Sequence, residues 1–393
     1  MTDKIVVEHL YKIFGPHSSE ASQLIEQGTA KGEIFARTGS TVGVQDASFS
    51  IQTGEIFVVM GLSGSGKSTL LRMLNRLIEP SSGKVTIDGR SVTQMSHKEL
   101  VQLRRSDMGM VFQSFALMPH RTVLQNAAFG LEIAGCARDE SHERALRALD
   151  QVGLKANAGS YPDELSGGMQ QRVGLARALA ADPSILLMDE AFSALDPLIR
   201  TQMQDELLNL QEQTERTVVF ITHDLNEAMR VGDRIAIMDE GRILQIGPGR
   251  EILRHPANEY VEAFFRDVDI TGIFIAGDIA EPADLLLRPD QSLEDAVKAL
   301  DEREFLYGHV LEDDRYRGVV SRDSLTRALD NNDHQVAAAM LADQHPLRSQ
   351  MSLREILSPV ANSPFPLPVV GRHGRFLGVI RKTNLLEALR KEE

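Results

Sequence analysis

The stretch "GLSGSGKST" (residues 61–69) decides the fold of the first part of the chain. It matches the pattern G-x-x-x-x-G-K-[ST] and stands between an apolar run of strand length, "EIFVVM", and a helix-compatible segment, "LLRMLNRL". Glycines at these positions let the backbone curl around a phosphate without clashes from Cβ atoms. The pattern therefore predicts a phosphate-binding loop between a strand and a helix of an α/β domain.

Each residue of this loop has an expected role in holding a nucleotide. Lys67 would neutralise the β- and γ-phosphates, and the Ser68 hydroxyl would ligate Mg²⁺. The residues expected to contact the nucleotide here are Gly61, Leu62, Ser63, Gly64, Ser65, Gly66, Lys67, Ser68 and Thr69.

A pair of acidic residues ends the apolar run "SILLMDE" (184–190). Asp189 is expected to hold Mg²⁺ through water, and Glu190 to polarise the attacking water as a general base. An acidic strand end on its own is often only a solvated boundary. Beside a phosphate-binding loop, it indicates nucleotide hydrolysis.

The rest of the first part alternates strand and helix patterns. A continuous apolar run, "TVVFITHD" (217–224), is typical of a buried parallel strand, and residues 234–247 predict a hairpin. Residues 4–14 predict a strand and residues 139–153 an amphipathic helix. Residues 16–41 form a polar, helix-compatible insertion. The expected fold class is therefore α/β.

A second glycine-rich stretch, "LSGGMQQR" (165–172), precedes another helical run. A serine and two glycines that open a helix present backbone N–H groups to a phosphate. No lysine lies beside them, so the stretch on its own is an incomplete phosphate site.

These stretches, with "SALD" (193–196) and a histidine at the end of a strand, resemble the ATPase family of ABC transporters over about residues 1–265. The resemblance implies a P-loop NTPase fold with a RecA-like core, an antiparallel β subdomain and a helical subdomain. It also implies that His223 is the switch histidine that contacts the γ-phosphate. Gln113 matches the glutamine that contacts Mg²⁺ and water and senses the membrane partner. Phe14 stands where the family stacks an aromatic ring on adenine, with Tyr11 as the alternative.

The same resemblance explains the incomplete phosphate site. In this family two ATPase domains pack head to tail, and the signature turn of one covers the γ-phosphate held by the other. Ser166, Gly167 and Gly168 match that signature turn, and Asp196 matches an aspartate at the dimer seam. Because the chain has one set of these motifs, it is expected to pair with a second chain, most simply a copy of itself.

The last part of the chain contains an internal repeat. "RYRGVVSRDSLTRAL" (315–329) lines up with "RFLGVIRKTNLLEAL" (375–389) at an offset of 60 residues, and Ser292-Leu293 match Ser352-Leu353 at the same offset. The repeats resemble a tandem pair of CBS domains. The expected organisation is an ATPase domain over 1–265, a linker over 266–277, and repeats over 278–335 and 336–393.

Both repeats depart from the adenosine-binding pattern of CBS domains. That pattern is Gly-apolar-apolar-Thr/Ser-x-x-Asp, whereas the second repeat has Arg381 and Asn384 at the two polar positions, and the first has Ser321 and Ser324. Three readings of this tail therefore stay open: nucleotide binding, sensing of ionic strength, and passive dimerisation.

Composition excludes several classes of protein. A net charge of −14 over 393 residues argues against a protein that coats nucleic acid, so no nucleic-acid partner is expected. The single cysteine, Cys136, excludes an internal disulfide and fits a reducing compartment. The stretch MTDKIVVEHLYKIFG has neither a long apolar core nor a cleavage site, so no signal peptide is expected, and no apolar run of about 20 residues predicts a membrane helix.

A finer resemblance concerns the transported solute. The insertion, "NRLIEPSSGKVTIDG", "MVFQSFALMPHRTVLQNAAFG" and "LLMDEAFSALDPLIR" look like the ATP-binding subunit of glycine betaine/L-proline uptake systems. This resemblance implies an osmoregulated ATPase that uses ATP and Mg²⁺ on the cytoplasmic face of the cell membrane. Its implied partners are a membrane permease and, indirectly, a substrate-binding protein. An importer for methionine, phosphonate or another amine is the alternative, and a soluble ABC protein of DNA repair or the ribosome is a more distant one.

Overall fold

The computed structural model describes residues 2–112, 116–193, 195–266, 270–341, 345–371 and 374–389. The chain divides into two compact units, Met1–Asp267 and Val268–Glu393, and each is described by itself.

The strands of the first unit are β1 (Asp3–Phe14), β2 (Thr41–Gln52), β3 (Ile56–Met60), β4 (Ser82–Ile87), β5 (Arg90–Ser91), β6 (Met108–Val111), β7 (Ile185–Asp189), β8 (Thr217–Thr222), β9 (Arg234–Asp239) and β10 (Arg242–Gly247). Its helices are α1 (Ser18–Glu26), α2 (Lys31–Thr38), α3 (Lys67–Leu74), α4 (His97–Ser106), α5 (Val123–Ala134), α6 (Arg138–Gln151), α7 (Gly167–Leu179), α8 (Pro197–Thr214), α9 (Leu225–Val231), α10 (Gly249–Arg254) and α11 (Glu259–Phe265). Single 3₁₀ turns lie at Val92–Gln94, Lys155–Asn157 and Pro162–Glu164.

A mainly parallel sheet forms the centre of this unit. Within the described residues its order is β10-β9-β3-β8-β7-β6, and only the β9–β10 hairpin is antiparallel. Every residue of β3, β7 and β8 is buried, which explains why these strands are continuously apolar in the sequence. The carboxyl ends of these three strands meet at one edge of the sheet, where parallel α/β folds bind ligands.

A second sheet, with the order β2-β1-β4-β5 among the described strands, is antiparallel. Its apolar side chains share a core with the central sheet, in which Phe49 of β2 stacks on Phe57 of β3 with ring centroids 5.2 Å apart. The polar insertion forms α1 and α2, whose buried Leu24 and Ile34 pack with Ile13 of β1. Helices α5, α6 and α7 contact one another and form the helical subdomain. The predicted α/β class and three-part ATPase architecture are therefore confirmed.

The second unit contains two copies of a small α/β fold. Its strands are β11 (Leu286–Leu287), β12 (Tyr307–Glu312), β13 (Arg315–Ser321), β14 (Leu347–Arg348), β15 (Leu367–Val370) and β16 (Phe376–Ile380). Its helices are α12 (Ile270–Ile273), α13 (Ala276–Ile279), α14 (Leu293–Glu302), α15 (Arg322–Asp330), α16 (Leu353–Asn362) and α17 (Lys382–Leu389), with a 3₁₀ turn at Val336–Ala339. In the described part of this unit the sheets are β11-β12-β13 and β14-β15-β16, which repeat at the offset of 60 residues seen in the sequence.

Two isolated β-bridges of this unit join equivalent positions of the repeated pattern. Ile275 forms a β-bridge with Ser352, and Gln335, which is 60 residues further on, forms one with Ser292. The expected linker over 266–277 accordingly has defined structure from residue 270, where α12 begins, and the Ala276 N–H donates to the Met351 carbonyl at 2.7 Å.

Candidate functional site

The loop at 61–69 follows β3 and leads into α3, as its motif requires. Gly61, Gly64 and Gly66 have positive φ angles of 157°, 83° and 104°. A Cβ atom on Gly66 would lie 2.2 Å from the Gly43 carbonyl oxygen, so only glycine fits at this position. Leu62, Ser63 and Gly64 are exposed at the tip of the loop, whereas Ser65 is buried.

Lys67 is the first residue of α3, and its side chain is buried. Its Nζ donates to the carbonyl oxygens of Gly61 at 2.9 Å and Leu62 at 3.0 Å. Burial lowers the pKa of Lys67, while the nearby carboxylates of Glu190 and Asp189 act in the opposite direction. The ammonium group therefore lies inside the loop, within reach of a phosphate that enters it.

Ser68 and Asp189 lie in direct contact at the ends of α3 and β7. Ser68 Oγ donates to Asp189 Oδ1 at 2.7 Å. The second carboxylate oxygen, Oδ2, forms an ion pair with Arg72 at 3.0 Å. Hydroxyl and carboxylate oxygens are ligands that Mg²⁺ prefers, and the ion usually takes one or two protein ligands together with phosphate and water. The pair therefore fits a Mg²⁺ ion.

The sequence alone does not predict the ion pair between Arg72 and Asp189. The one signal for Arg72 in the sequence is its position four residues after Ser68, which places both side chains on one face of α3. Among the described residues, no three or more histidine, cysteine, aspartate or glutamate side chains gather into a metal-binding group of their own.

Glu190 and His223 follow two neighbouring strands, β7 and β8, and face each other. Glu190 Oε2 lies 3.3 Å from His223 Nδ1. Glu190 has a φ angle of 47°, a strained value for a residue with a side chain, and its N–H donates to the Ile221 carbonyl. Such strain is typical of sites where the surrounding structure fixes a functional group.

Phe14 ends β1 on the side of the loop at 61–69. Its ring is 40% exposed and lies against Gly43, where a Cβ atom would be 2.8 Å from Phe14 Cε2. Thr69 of α3 borders the same glycine. The alternative residue, Tyr11, is half-buried, and its hydroxyl bonds to Asp46; burial and the Asp46 carboxylate raise the pKa of Tyr11. Phe14 is thus the more exposed of the two rings and the better candidate for stacking on a base, with Lys12 Nζ over the ring at 5.0 Å from its centroid.

The stretch at 165–172 opens α7. Ser166 caps this helix, since its Oγ accepts from the Met169 N–H at 3.4 Å, and Ser166 and Gly167 are exposed. A Cβ atom on Gly168 would lie 2.6 Å from Ile199 Cγ2 of α8, so this glycine lets the two helices approach closely. The hydrogen bonds described for the chain connect none of these three residues to the loop at 61–69.

Asp196 caps α8, and its Oδ1 accepts from the Ile199 N–H at 3.1 Å. Gln113 lies outside the described residues. None of the described helices combines the length and apolarity that crossing a membrane requires.

Comparison with known proteins identifies relatives for both units. A family model for "ABC transporter" matches residues 44–193, and a model for "CBS domain" matches residues 276–331. The glycine betaine/proline betaine transport system ATP-binding protein ProV of Salmonella typhimurium is 54% identical over 100% of this chain and 99% of its own length. The glycine betaine/carnitine transport ATP-binding protein GbuA of Listeria monocytogenes is 46% identical over 99% of this chain and 98% of its own length.

Solved structures match the first unit. A dimeric bacterial ABC transporter cassette is 32% identical, with a TM-score of 0.54, and the match covers 63% of this chain and 99% of that one. A dimeric cassette in a post-hydrolysis state, bound to ADP and Pi, matches with a TM-score of 0.53.

Proposed function

This chain belongs to the glycine betaine transport ATP-binding proteins of the ABC transporter family, and we propose that it powers the import of glycine betaine and related osmoprotectants through a membrane permease. The observation that carries this proposal is the set of side chains gathered at one edge of the central sheet. Lys67, Ser68 and Asp189 lie at a phosphate-binding loop, and the Glu190–His223 pair lies beside them.

ATP would bind with its phosphates in the loop at 61–69 and its adenine on Phe14. The backbone N–H groups at the start of α3 favour negative charge, and Lys67 would turn from the carbonyl oxygens of Gly61 and Leu62 to the β- and γ-phosphates. The remaining loop residues would contact the nucleotide through their backbone.

Ser68 and Asp189 would hold Mg²⁺, Asp189 through water, with Gln113 as a further ligand. When bound, this ion neutralises phosphate charge during hydrolysis. Arg72 orients the buried Asp189 carboxylate through its bond to Oδ2.

Glu190 would accept a proton from the attacking water, and His223 would donate a hydrogen bond to the γ-phosphate. Because His223 Nδ1 faces Glu190 Oε2 at 3.3 Å, its other ring nitrogen is free to point at substrate. This assignment makes Glu190, His223 and Gln113 the catalytic residues.

A second copy of the chain would complete each ATP site. Ser166 caps α7 as an acceptor, so its hydroxyl hydrogen and the exposed first turn of α7 remain available to a γ-phosphate held by the partner. Ser166, Gly167 and Gly168 would thus close the site in trans, with Asp196 at the seam. ATP binding closes the dimer and hydrolysis reopens it.

The dimer would work on the cytoplasmic face of the cell membrane, bound to the permease near Gln113. A substrate-binding protein would deliver the solute on the other side and meet this subunit only indirectly.

We propose that the second unit consists of repeats over 278–335 and 336–393. We also propose that this unit regulates transport in response to osmolality. Nucleotide binding and sensing of ionic strength are both candidate signals. In the second repeat, Arg381 stands at the Thr/Ser position of the adenosine-binding pattern. It forms ion pairs with Glu281 at 3.2 Å and with Asp284 at 2.7 Å, so this position is engaged by carboxylates of the chain. These half-exposed ion pairs favour sensing of ionic strength over nucleotide binding, because dissolved salt screens the attraction between their charges.

The test is uptake of labelled glycine betaine at low and high osmolality in cells that carry the chain with its permease. We expect uptake that rises with osmolality and is lost in the Lys67→Ala variant. Equal uptake by both would contradict the proposed function. Deletion of residues 278–393 should remove the dependence on osmolality, and an unchanged dependence would limit the tail to passive dimerisation.

A further inference from the structure

We propose that Arg200 is a positioning residue that couples the dimer seam to the switch histidine; this inference rests on the proposed function. Arg200 lies in the first turn of α8, four residues after Asp196. Its backbone N–H donates to the Asp196 carbonyl at 2.9 Å, so it moves with the segment at the seam.

The guanidinium of Arg200 bonds to the seam segment itself. Nη2 donates to the carbonyl oxygens of Leu195 at 3.1 Å and Ser193 at 3.4 Å. Residues 193–196, of which Ala194 lies outside the described residues, are named here the seam loop. One planar cation thereby fixes two backbone carbonyls of this loop.

The other end of the same guanidinium bonds to the segment of the switch histidine. Nη1 donates to Asp224 Oδ2 at 3.0 Å, and Asp224 is the residue after His223. The Asp224 carboxylate also caps α9, where its Oδ1 accepts from the Glu227 N–H at 3.2 Å. A change in the Arg200–Asp224 bond would therefore shift the start of α9 and the backbone next to His223.

Two further contacts, from Ser193 to Glu190 and from Glu190 to His223, complete a closed ring of bonded residues. Ser193 Oγ donates to the Glu190 carbonyl at 2.9 Å, and Glu190 Oε2 lies 3.3 Å from His223 Nδ1. The ring runs from Glu190 through the seam loop, Arg200 and Asp224 to His223 and back to Glu190. When a partner contacts Asp196, the displacement reaches the water-polarising carboxylate and the switch histidine by bonded contacts.

Arg200→Lys is the substitution that best separates the geometry of Arg200 from its charge. Its single nitrogen keeps the charge but lacks the fork that reaches Asp224 and the seam-loop carbonyls together. The chain also offers a matched control, because Arg230 of α9 bonds to Asp205 of α8 at 2.6 Å and joins the same two helices without touching the seam loop.

The experiment measures ATP hydrolysis by the full chain with its permease in lipid vesicles. For Arg200→Lys we expect kcat to fall about tenfold or more, the scale expected when reacting groups are misplaced, with the KM for ATP within about twofold. Arg230→Lys should change neither value by more than about twofold. Asp224→Asn should lower kcat similarly, and the double variant should be no worse than either single one.

A second readout separates positioning from stability. In a Glu190→Gln background, Arg200→Lys should still form the ATP-bound dimer, and its melting temperature should match that of Arg230→Lys. A kcat equal to that of the control would overturn the proposal. The proposal would also be overturned if ATP affinity and melting temperature fell together with kcat in both Arg200→Lys and Asp224→Asn. Hydrolysis that persists in Lys67→Ala would instead refute the proposed function itself.

Discussion

Ser68 and Asp189, which are 121 residues apart in sequence, share a hydrogen bond of 2.7 Å between Oγ and Oδ1. This bond joins the start of α3 to the end of β7, and it sets two oxygen ligands side by side where the phosphates of ATP would lie. Because Arg72 holds the second oxygen of Asp189, the carboxylate has a fixed orientation before any ion arrives.

Removal of the Ser68 hydroxyl should weaken the response to Mg²⁺. For Ser68→Ala we expect the Mg²⁺ concentration for half-maximal ATP hydrolysis to rise about tenfold or more, because one ligand is lost and Asp189 loses its donor. Ser68→Thr keeps the hydroxyl and serves as the control. Titration of hydrolysis against Mg²⁺ measures the effect, and an unchanged midpoint in Ser68→Ala would contradict the assignment of this metal site.

The affinity for ATP should depend on pH through Lys67. Burial lowers the pKa of this ammonium below the ordinary lysine value, so it loses its proton at a lower pH than an exposed lysine. Affinity should be full at neutral pH and decline as the pH rises toward 10. Fluorescent-nucleotide titration without Mg²⁺ measures this, and Ser68→Ala should keep the same pH dependence. A flat profile up to pH 10 would show that the charge of Lys67 does not hold the phosphates.

Glu190→Gln should trap the closed dimer. The amide keeps the size of the side chain but cannot accept the proton of water, so ATP stays intact and continues to join two copies. Size-exclusion chromatography of the full chain with and without Mg-ATP should show ATP-dependent association for Glu190→Gln and no ATP-dependent association for the Lys67→Ala/Glu190→Gln double variant. If saturating Mg-ATP does not change the association state of Glu190→Gln, either alone or in the complex with the permease, closure in trans is contradicted.

The sequence was sufficient for elements with a local signature. Continuous apolar runs predicted β7 and β8, and the glycine pattern placed the phosphate-binding loop between β3 and α3. The repeat offset anticipated two copies of one α/β unit in the tail. In each case residues close in sequence carry the signal, through periodicity, turn chemistry or a fixed motif.

Contacts between distant segments were not predictable in the same way. Arg72 and Arg200 look like ordinary exposed helix arginines in the sequence, and only tertiary structure brings them to Asp189 and Asp224. The segment from 270 onward looks like a linker because its bonding partner, near Ser352, is some 80 residues away. Such pairings depend on topology and leave no local pattern.

The second unit should lose stability as the pH falls below about 6.5, the ordinary pKa of histidine. His309 is buried in β12, and its Nε2–H donates to the Pro366 carbonyl at 2.9 Å, so this bond links the two repeats. Burial lowers the pKa of His309, so the unfolded chain binds its proton more readily and the stability of the fold rises with pH across this window. Calorimetry between pH 5 and 8 should show a smaller pH dependence for His309→Gln than for the exposed-site control His345→Gln. Equal slopes would contradict this account.

A methyl group at Gly168 should separate the signature turn from α8. The added Cβ would lie 2.6 Å from Ile199 Cγ2, a branch of the side chain fixed next to the helix backbone. Gly168→Ala should therefore cost about 1–3 kcal/mol of stability and lower ATP hydrolysis, because α7 carries Ser166 to the partner's nucleotide.

Gly130→Ala is the matched control, since Gly130 lies in helix α5 with nothing within 4 Å of its Cβ position, and it should be stabilising by about 0.5–1 kcal/mol. In an Ile199→Ala background the same Gly168→Ala change should lose most of its cost, as measured by urea unfolding and hydrolysis together. If the cost persists there, the close approach of the two helices is not what requires a glycine at position 168.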